Sequence, residues 1–490
     1  MSAYTEIEKR FKERHLIDTI NSVLNWDMET YMPKGANDFR GDQIAYLSEK
    51  SQEIMLRPDW PELIASAKGE KGLDNWQTAN IKRAARILAL SDGISAELVG
   101  KLAKAISDSL AAWREAKPKN DFKAWLPYFE KVLDLTKETA EITGQKMGLS
   151  PYDALLESYQ SDIHQAQIDP IFNELKTFLP DLIQKIQTQR SPSFQFKEDY
   201  KGIGQDKLNA LLAKTIGLDF NRSRIDKSVH GFCTDLGEDI RITASEKNDP
   251  MEIALTIIHE TGHAIYDQNL PPKWRGQPVG SNLGMAAHES QSLFWERQIT
   301  GNEGFISFLT REMKKIFGYG EITHDNLLAR LRDAKPSFIR TAADEVTYPL
   351  HVILRYEIER ALIGGDVTPK DVPALWNEKM RAYLGIVPPT DTLGCLQDIH
   401  WPGGMIGYFP SYSMGAVTAA QWMHAMTAET PDILDGLKNG DCTRVHEWLK
   451  KNIHSKGCLV SFPQLVKDVT GEALTAKYFK AHLTNRYLKG

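Results

Sequence analysis

The sequence predicts a mainly α-helical fold with one small β-element, and three observations carry that prediction. Apolar residues recur at helical spacing through most of the 490 residues, punctuated by Pro, Gly and Asp clusters. Only residues 228–234 and 239–243 show short alternating runs with glycine between them, the pattern of strands. No internal repeat, low-complexity tract or Ser/Gly linker divides the chain, so residues 1–490 are expected to form one body.

Composition narrows the class. Hydrophobic residues make up 42% and charged residues 25%, an ordinary soluble globular balance. The net charge of -6 gives no basis for binding nucleic acid or an anionic membrane surface. Cys233, Cys395, Cys442 and Cys458 lie far apart with no CxxC pair, which favours free thiols in a reducing compartment. The first residues run straight into a charged helical pattern, and no window approaches ~18 uninterrupted apolar residues. A cytoplasmic chain with no membrane span is therefore expected.

The elements follow in order. Ile7, Phe11, Ile17, Ile20 and Leu24 set a helix over 4–25, with 26–33 as the turn that ends it. Helices are predicted at 38–56, 75–91, 96–115 and 122–147, stopped by Pro58-Asp59-Trp60-Pro61, Ser91-Asp92-Gly93, Pro118 and Gly148. Asp169-Pro170 has the form of a cap and first-turn proline opening a helix to 188. The texture changes over 191–247, where the β-element lies. Asp249 can cap the next helix, Pro250 suits its first position, and Glu252 falls three residues after the cap. Ile253, Leu255, Ile257, Ile258 and Ile265 put apolar bulk on several of its faces, so it is expected to be buried. Past a proline-rich loop, helices are predicted at 285–299, 302–316, 324–333, 346–363 and 371–384. Pro388-Pro389, Gly403-Gly404 and Gly407 mark a long loop before helices at 415–427, 441–453, 462–469 and 474–487.

The buried helix carries the chemistry. His259-Glu260-Thr261-Gly262-His263 places two imidazoles four residues apart, on one face, where they can hold one divalent metal. Glu260, about 100° round the helix, can reach a water at the metal without binding the metal itself, which is what a general base requires. A hydrolytic zinc site takes three protein ligands and keeps one position open. Glu289 supplies the third after 25 intervening residues, on a helical pattern with Met285, Leu293 and Phe294 beyond a loop containing Pro271, Pro272, Gly276 and Pro278. His288 is the alternative ligand. Zinc is the default for two histidines and a glutamate, and cobalt or manganese could occupy the same set. Leu293 stands where thermolysin-like enzymes often carry an Asp, so the partner that orients the histidines is not identified.

Taken together, His259-Glu260-Thr261-Gly262-His263 and His288-Glu289-Ser290-Gln291 resemble the carboxypeptidase Taq family of metallocarboxypeptidases. Asp239-Ile240-Arg241-Ile242-Thr243 matches the family's DxRxT, Ile339-Arg340-Thr341-Ala342-Ala343-Asp344 its IRxxAD, and Gly394-Cys395-Leu396-Gln397-Asp398-Ile399-His400-Trp401 its GxxQDxHW. Residues 26–35 and 407–412 are similar to family stretches as well, so the resemblance spans nearly the whole chain. The family's His-Pro-Phe is here His230-Gly231-Phe232, and glycine frees a φ that proline would fix, which predicts a more mobile loop.

The resemblance implies a neurolysin-like helical fold, shared with the angiotensin-converting peptidases, with lobes on either side of a deep active-site cleft. It also implies release of single C-terminal residues with broad preference disfavouring proline, and a homodimer. An exopeptidase must hold a free α-carboxylate, which a guanidinium does through a bidentate fork. Arg340 and Arg241 are the candidates, each with a structural alternative: Arg340 paired with Asp344, Arg241 with Asp239. His230 and Tyr412 join them as substrate-binding candidates. Tyr408 or Tyr412 could supply a donor to the developing oxyanion, and His400 either assists it or supports a neighbour. Two rival readings are an endo-acting oligopeptidase on the same scaffold and a peptide-binding helical scaffold with a structural metal. Structural zinc is normally closed by four protein ligands and needs no Glu260, which argues against the latter.

Overall fold

In a computed structural model, which describes residues 2–189, 194–197, 200, 202, 204–318 and 320–489, the chain folds into helices packed around one small sheet. Among the described residues there are nineteen α-helices and three strands, and no helix is long and apolar enough to cross a membrane. Residues 190–193, at the start of the stretch where the sequence texture changes, lie outside the described residues.

The first helix, Ala3–Thr30, is longer than its apolar spacing predicts. Ser2 caps it through the Thr5 amide, and it continues past residue 25 because Trp26 is buried. That ring lies under two guanidiniums, with Arg241 Cζ 4.2 Å and Arg224 Cζ 5.2 Å from the ring centroid. Asp169-Pro170 does not open a helix as predicted. The helix begins at Gln165, and Asp169 instead accepts from the Tyr356 hydroxyl at 2.7 Å and Arg360 at 2.6 Å. Three helices escape the sequence pattern: Trp60–Lys68, Pro151–Tyr159 and Gln205–Ile216. In the first two a proline sits in the opening turn, where its missing N–H leaves no bond unmade.

The β-element is larger than predicted by one strand. Strands β1 (Ser223–Lys227), β2 (Phe232–Asp235) and β3 (Ile240–Ala244) pair in the order β1-β3-β2. The β1–β3 pairing is parallel and sets Arg224 opposite Arg241, while β2 runs antiparallel to β3. Ile240, Ile242 and Ala244 of the central strand are buried beneath the Pro250–Gln268 helix, whose Met251, Ile253, Ala254, Ile257 and Ile258 join the same core.

Apolar packing falls into a large core reaching from Trp113 to Leu483, a smaller one at the N-terminal helices, and a minor one of Leu98, Ala105, Val132 and Leu135. The smaller core gathers Tyr4, Ile7, Phe11, Trp60, Ile64 and Ile81 with Trp274 and Val279. Those last two belong to the loop that joins the His259 helix to the Glu289 helix.

Candidate metal centre and substrate cluster

The site begins with a cap. Asp249 accepts from the Met251 and Glu252 amides, satisfying two of the free donors at the start of the Pro250–Gln268 helix, and Arg330 Nε holds its other oxygen at 2.7 Å. The helix is packed on the sheet on one side and on the Met285–Leu293 helix on the other. Two glycines set that second spacing. A Cβ at Gly262 would lie 2.7 Å from Ser292 Cα, and a Cβ at Gly415, on the Pro410–Glu429 helix, would lie 2.7 Å from Glu289 Cβ. Only hydrogen at both positions lets the Glu289 helix approach its two neighbours, and that approach delivers Glu289 to the histidines.

Glu289 Oε2 lies 3.5 Å from His263 Nε2 and 3.9 Å from His259 Nε2. Donors about 2.0–2.2 Å from one tetrahedral ion stand about 3.3–3.6 Å apart, so the three fit a single divalent cation with little adjustment. His259, His263 and Glu289 offer ligand atoms that all lie within 4.8 Å of one another. The outer nitrogens of the two rings are already engaged. His259 Nδ1 is 2.7 Å from Glu296 Oε2, and His263 Nδ1 meets His288 Nδ1. His288 Nε2 is in turn 3.0 Å from both oxygens of Asp267. Each metal-facing Nε2 is thus left over by a partner that fixes ring orientation. His288, the alternative ligand, has both ring nitrogens committed and serves as the support of His263 instead.

Those supports were missed in the sequence, although a signal was present. Asp267 is four residues past His263 and Glu296 seven past Glu289, one and two turns along the same helix faces. The Glu296 segment, Phe294–Ile299, is π-helical, a wider coil that periodicity alone does not reveal.

Electrostatics agree with a dication at this point. Burial disfavours charge on His259, but Glu289 and the Glu296 hydrogen bond outweigh it and push its pKa up to about 10. A bound cation at Nε2 takes the place of that proton. His263 is held down to about 4 by burial and by neighbouring His288, so it is neutral, as a ligand must be. Burial pushes the Glu260 carboxyl up to about 7, with His259 opposing and Glu289 and Glu296 adding to the rise. Among the described residues no hydrogen bond engages that carboxylate. Gly231 packs against it: a Cβ there would lie 3.5 Å from Glu260 Cγ and 3.1 Å from Thr243 O. The 230–232 loop therefore forms a wall of the site, with His230 itself exposed.

A second cluster lies along the other side of Glu289. Arg340 is buried, but its partner is Asp398 rather than Asp344: Nε and Nη2 are each 3.0 Å from Asp398 Oδ1. Asp344 is used locally, accepting from the Lys335, Val346 and Thr347 amides. Asp398 also binds Arg355 at 2.6 Å, and Gln397 accepts from the Arg340 amide at 2.8 Å, so neighbouring motif residues fix Arg340 from two directions. Nη1 donates to the Tyr348 hydroxyl at 2.5 Å, which leaves two of five guanidinium N–H groups free of these contacts. Tyr412 lies beside Arg340, and its hydroxyl is 3.2 Å from His400 Nε2. Tyr408 packs tilted against His400 and edge-on against Tyr412, and its hydroxyl donates to the weakly accepting Met285 Sδ at 3.7 Å. Burial raises the pKa of Tyr348, Tyr408 and Tyr412, and the Glu289 charge adds to each, which ties this cluster to the metal centre. His400 is held near 3 by burial and by Arg340, so it is neutral, and its Nδ1 is buried without a partner among the described residues.

Arg241 is not brought to this cluster. It sits on β3, bound to Asp239 at 2.6 Å and stacked on Trp26.

Comparison with known proteins decides what this arrangement belongs to. The model of the carboxypeptidase Taq (M32) metallopeptidase family matches residues 6–487. The chain belongs to that family. Among M32 relatives, it is 31% identical to thermostable carboxypeptidase 1 of Pyrococcus furiosus, covering 99% of this chain and 98% of the relative. It is 33% identical to carboxypeptidase 1 of Bacillus subtilis, over 95% of this chain and 94% of the relative. Metallocarboxypeptidase 1 of Trypanosoma cruzi superposes with a TM-score of 0.96 at 33% identity, over 99% of both chains. As an M32 member this chain is a metal-dependent carboxypeptidase with the mainly helical fold expected from its sequence.

Proposed function

We propose that the protein removes single C-terminal residues from peptides, with broad preference that disfavours proline. His259, His263 and Glu289 would hold one zinc ion, with cobalt or manganese as substitutes. The observation that carries this reading is the commitment of both outer imidazole nitrogens, which leaves two Nε2 atoms and one carboxylate oxygen facing a common point. Three protein ligands suit a hydrolytic site, and the ion, when bound, supplies Lewis-acid polarisation of water and of the scissile carbonyl.

The chain's own residues do the remainder. Glu260 takes the proton from the attacking water and returns it to the leaving amine; burial raises its pKa, which favours the proton it accepts, while a bound cation would lower it again. His400 and Tyr408, with Tyr412 behind them, donate to the carbonyl oxygen as charge develops there. Arg340 takes the free α-carboxylate with its two remaining N–H groups. Arg241, held by Asp239 away from this cluster, is left a structural part, and His230 lines the rim of the site beside Gly231. The family resemblance and the four free cysteines support a cytoplasmic homodimer of single-unit chains.

The test uses one peptide with its C-terminus free or amidated, together with metal content and activity before and after chelation. Rapid release of a single residue only from the free form, abolished by chelation, is expected. Equal cleavage of both forms would point to an endo-acting oligopeptidase. Glu260→Gln should keep its metal and lose activity, and unchanged hydrolysis would remove the proposed base.

A further inference from the structure

Glu359 belongs to none of the sequence motifs and lies outside the metal centre. Its carboxylate is wholly buried within the Tyr348–Gly364 helix. Oε1 accepts from Trp401 Nε1 at 2.8 Å, and Oε2 accepts from the Tyr152 hydroxyl at 2.7 Å and the Gly407 amide at 3.0 Å. All three donors are neutral. Burial raises its pKa to about 7, with those hydrogen bonds opposing. An acid is costly to bury, and an apolar side chain would fill the same space. What the carboxylate does, and leucine cannot, is accept from three separate segments at once.

Two of those donors bracket one loop. Trp401 directly follows His400, and Gly407 directly precedes Tyr408. Between them the chain closes on itself, with Met405 N donating to His400 O at 2.8 Å and Gly404 N to Trp401 O at 3.0 Å. Gly407 turns at φ 91°, and a Cβ there would lie 3.1 Å from the Leu155 carbonyl carbon. Both ends of the loop are thus fastened to one side chain. His400 and Tyr408 emerge from those ends with ring centroids 5.4 Å apart.

We propose that Glu359 is a positioning residue, whose carboxylate aims His400 and Tyr408 at the substrate carbonyl by holding Trp401 and Gly407. This rests on the role given to His400 and Tyr408 under Proposed function. Glutamine cannot replace it, because whichever way the amide turns, its NH₂ faces an N–H of Trp401 or Gly407 that has nothing to accept with.

The test is a mutant cycle on the metal-loaded, full-length enzyme with a blocked dipeptide. E359Q should lower kcat about 30-fold, within the ~10²-fold that a 1 Å misplacement costs, with KM changed less than about 3-fold and metal content unchanged. In an H400A/Y408F background the same substitution should change kcat less than about 3-fold, because its effect passes through those side chains. A full-sized loss in that background, or no loss in the parent, overturns the proposal. Parental activity of H400A/Y408F overturns the role of those two side chains and this inference with it. Impaired H400A/Y408F beside an unaffected E359Q overturns this inference alone. Should E359Q fail to fold, W401F keeps an aromatic ring and deletes one loop donor, and the same cycle applies with an expected loss of about 5-fold.

Discussion

His259 and His263 are one turn apart on one helix, yet their supports differ in kind. Glu296 places a carboxylate against His259, whereas His263 leans on a second imidazole that is backed by Asp267. The charged support strengthens the basicity of its ligand directly. Glu296→Gln is expected to weaken metal affinity about 10–100-fold, read by competition with a chelator of known affinity. An unchanged affinity would mean that Glu296 only fills space. At this scale the i, i+4 offset of the two histidines was legible in the sequence, whereas their supports Asp267 and Glu296 were not read although they lie on the same helix faces. The pairing of His259 with His263 on one helix face follows from their spacing, and the structure brings Glu289 to the same point. Arg340 was named from its motif, but its anchor was not legible: Asp398 is 58 residues away in sequence, and no local period points to it rather than to Asp344.

The Met285–Leu293 helix is the element on which the centre depends, because it is squeezed between two others at Gly262 and Gly415. Gly262→Ala would force its Cβ against the Ser292 backbone, which cannot swing aside as a side chain does. Overpacking of this kind costs about 1–3 kcal/mol. A lower melting temperature is expected together with a lower metal content at fixed free zinc, since Glu289 rides on the displaced helix. A variant that melts lower but binds metal normally would separate the two roles. Most helices were legible from their 3.6-residue period. Two of the three missed carry a proline in the opening turn, which resembles a breaker until the preceding residue is weighed with it, as at Ser150 before Pro151; the third, Gln205–Ile216, follows Gly204 with no side-chain cap to signal it. Strand β1 was missed for another reason: it pairs in parallel with β3 across intervening chain, and parallel pairing leaves no turn signature.

At the scale of the whole molecule, the Lys477–Thr484 helix and the turn after it are held to the core by a buried ion pair. Glu345 lies 2.7 Å from Arg486 and 2.8 Å from His482. Burial disfavours the Glu345 charge, but Arg486 and then His482 outweigh it and hold this carboxylate well below its ordinary range. A depressed carboxylate contributes stability above its unfolded pKa of about 4.3, and that stability is lost as pH falls below it. Glu345→Gln strands Arg486 in the interior and should cost about 3–5 kcal/mol at pH 7. The parent and the variant should converge as the solution is acidified from pH 4.5 towards 3, in thermal unfolding followed by circular dichroism. Parallel curves across that range would show that the pair does not titrate with folding.

The loop between the two metal-bearing helices is shared between two cores: Leu283 joins the large one that houses those helices, whereas the middle of the loop is held elsewhere. Trp274 and Val279 are part of the N-terminal apolar cluster, and Trp274 stacks on Trp76 at 5.7 Å. Whatever tightens the histidine helix against the glutamate helix therefore also restrains a loop that the first helices must grip. Thermodynamic reciprocity then applies: if metal binding steadies those helices, their docking must raise metal affinity by the same factor. Amide hydrogen exchange across residues 3–89 should slow when zinc is added, although no zinc donor lies there. W76A, which loosens that grip far from any ligand, should weaken zinc binding in the same measure.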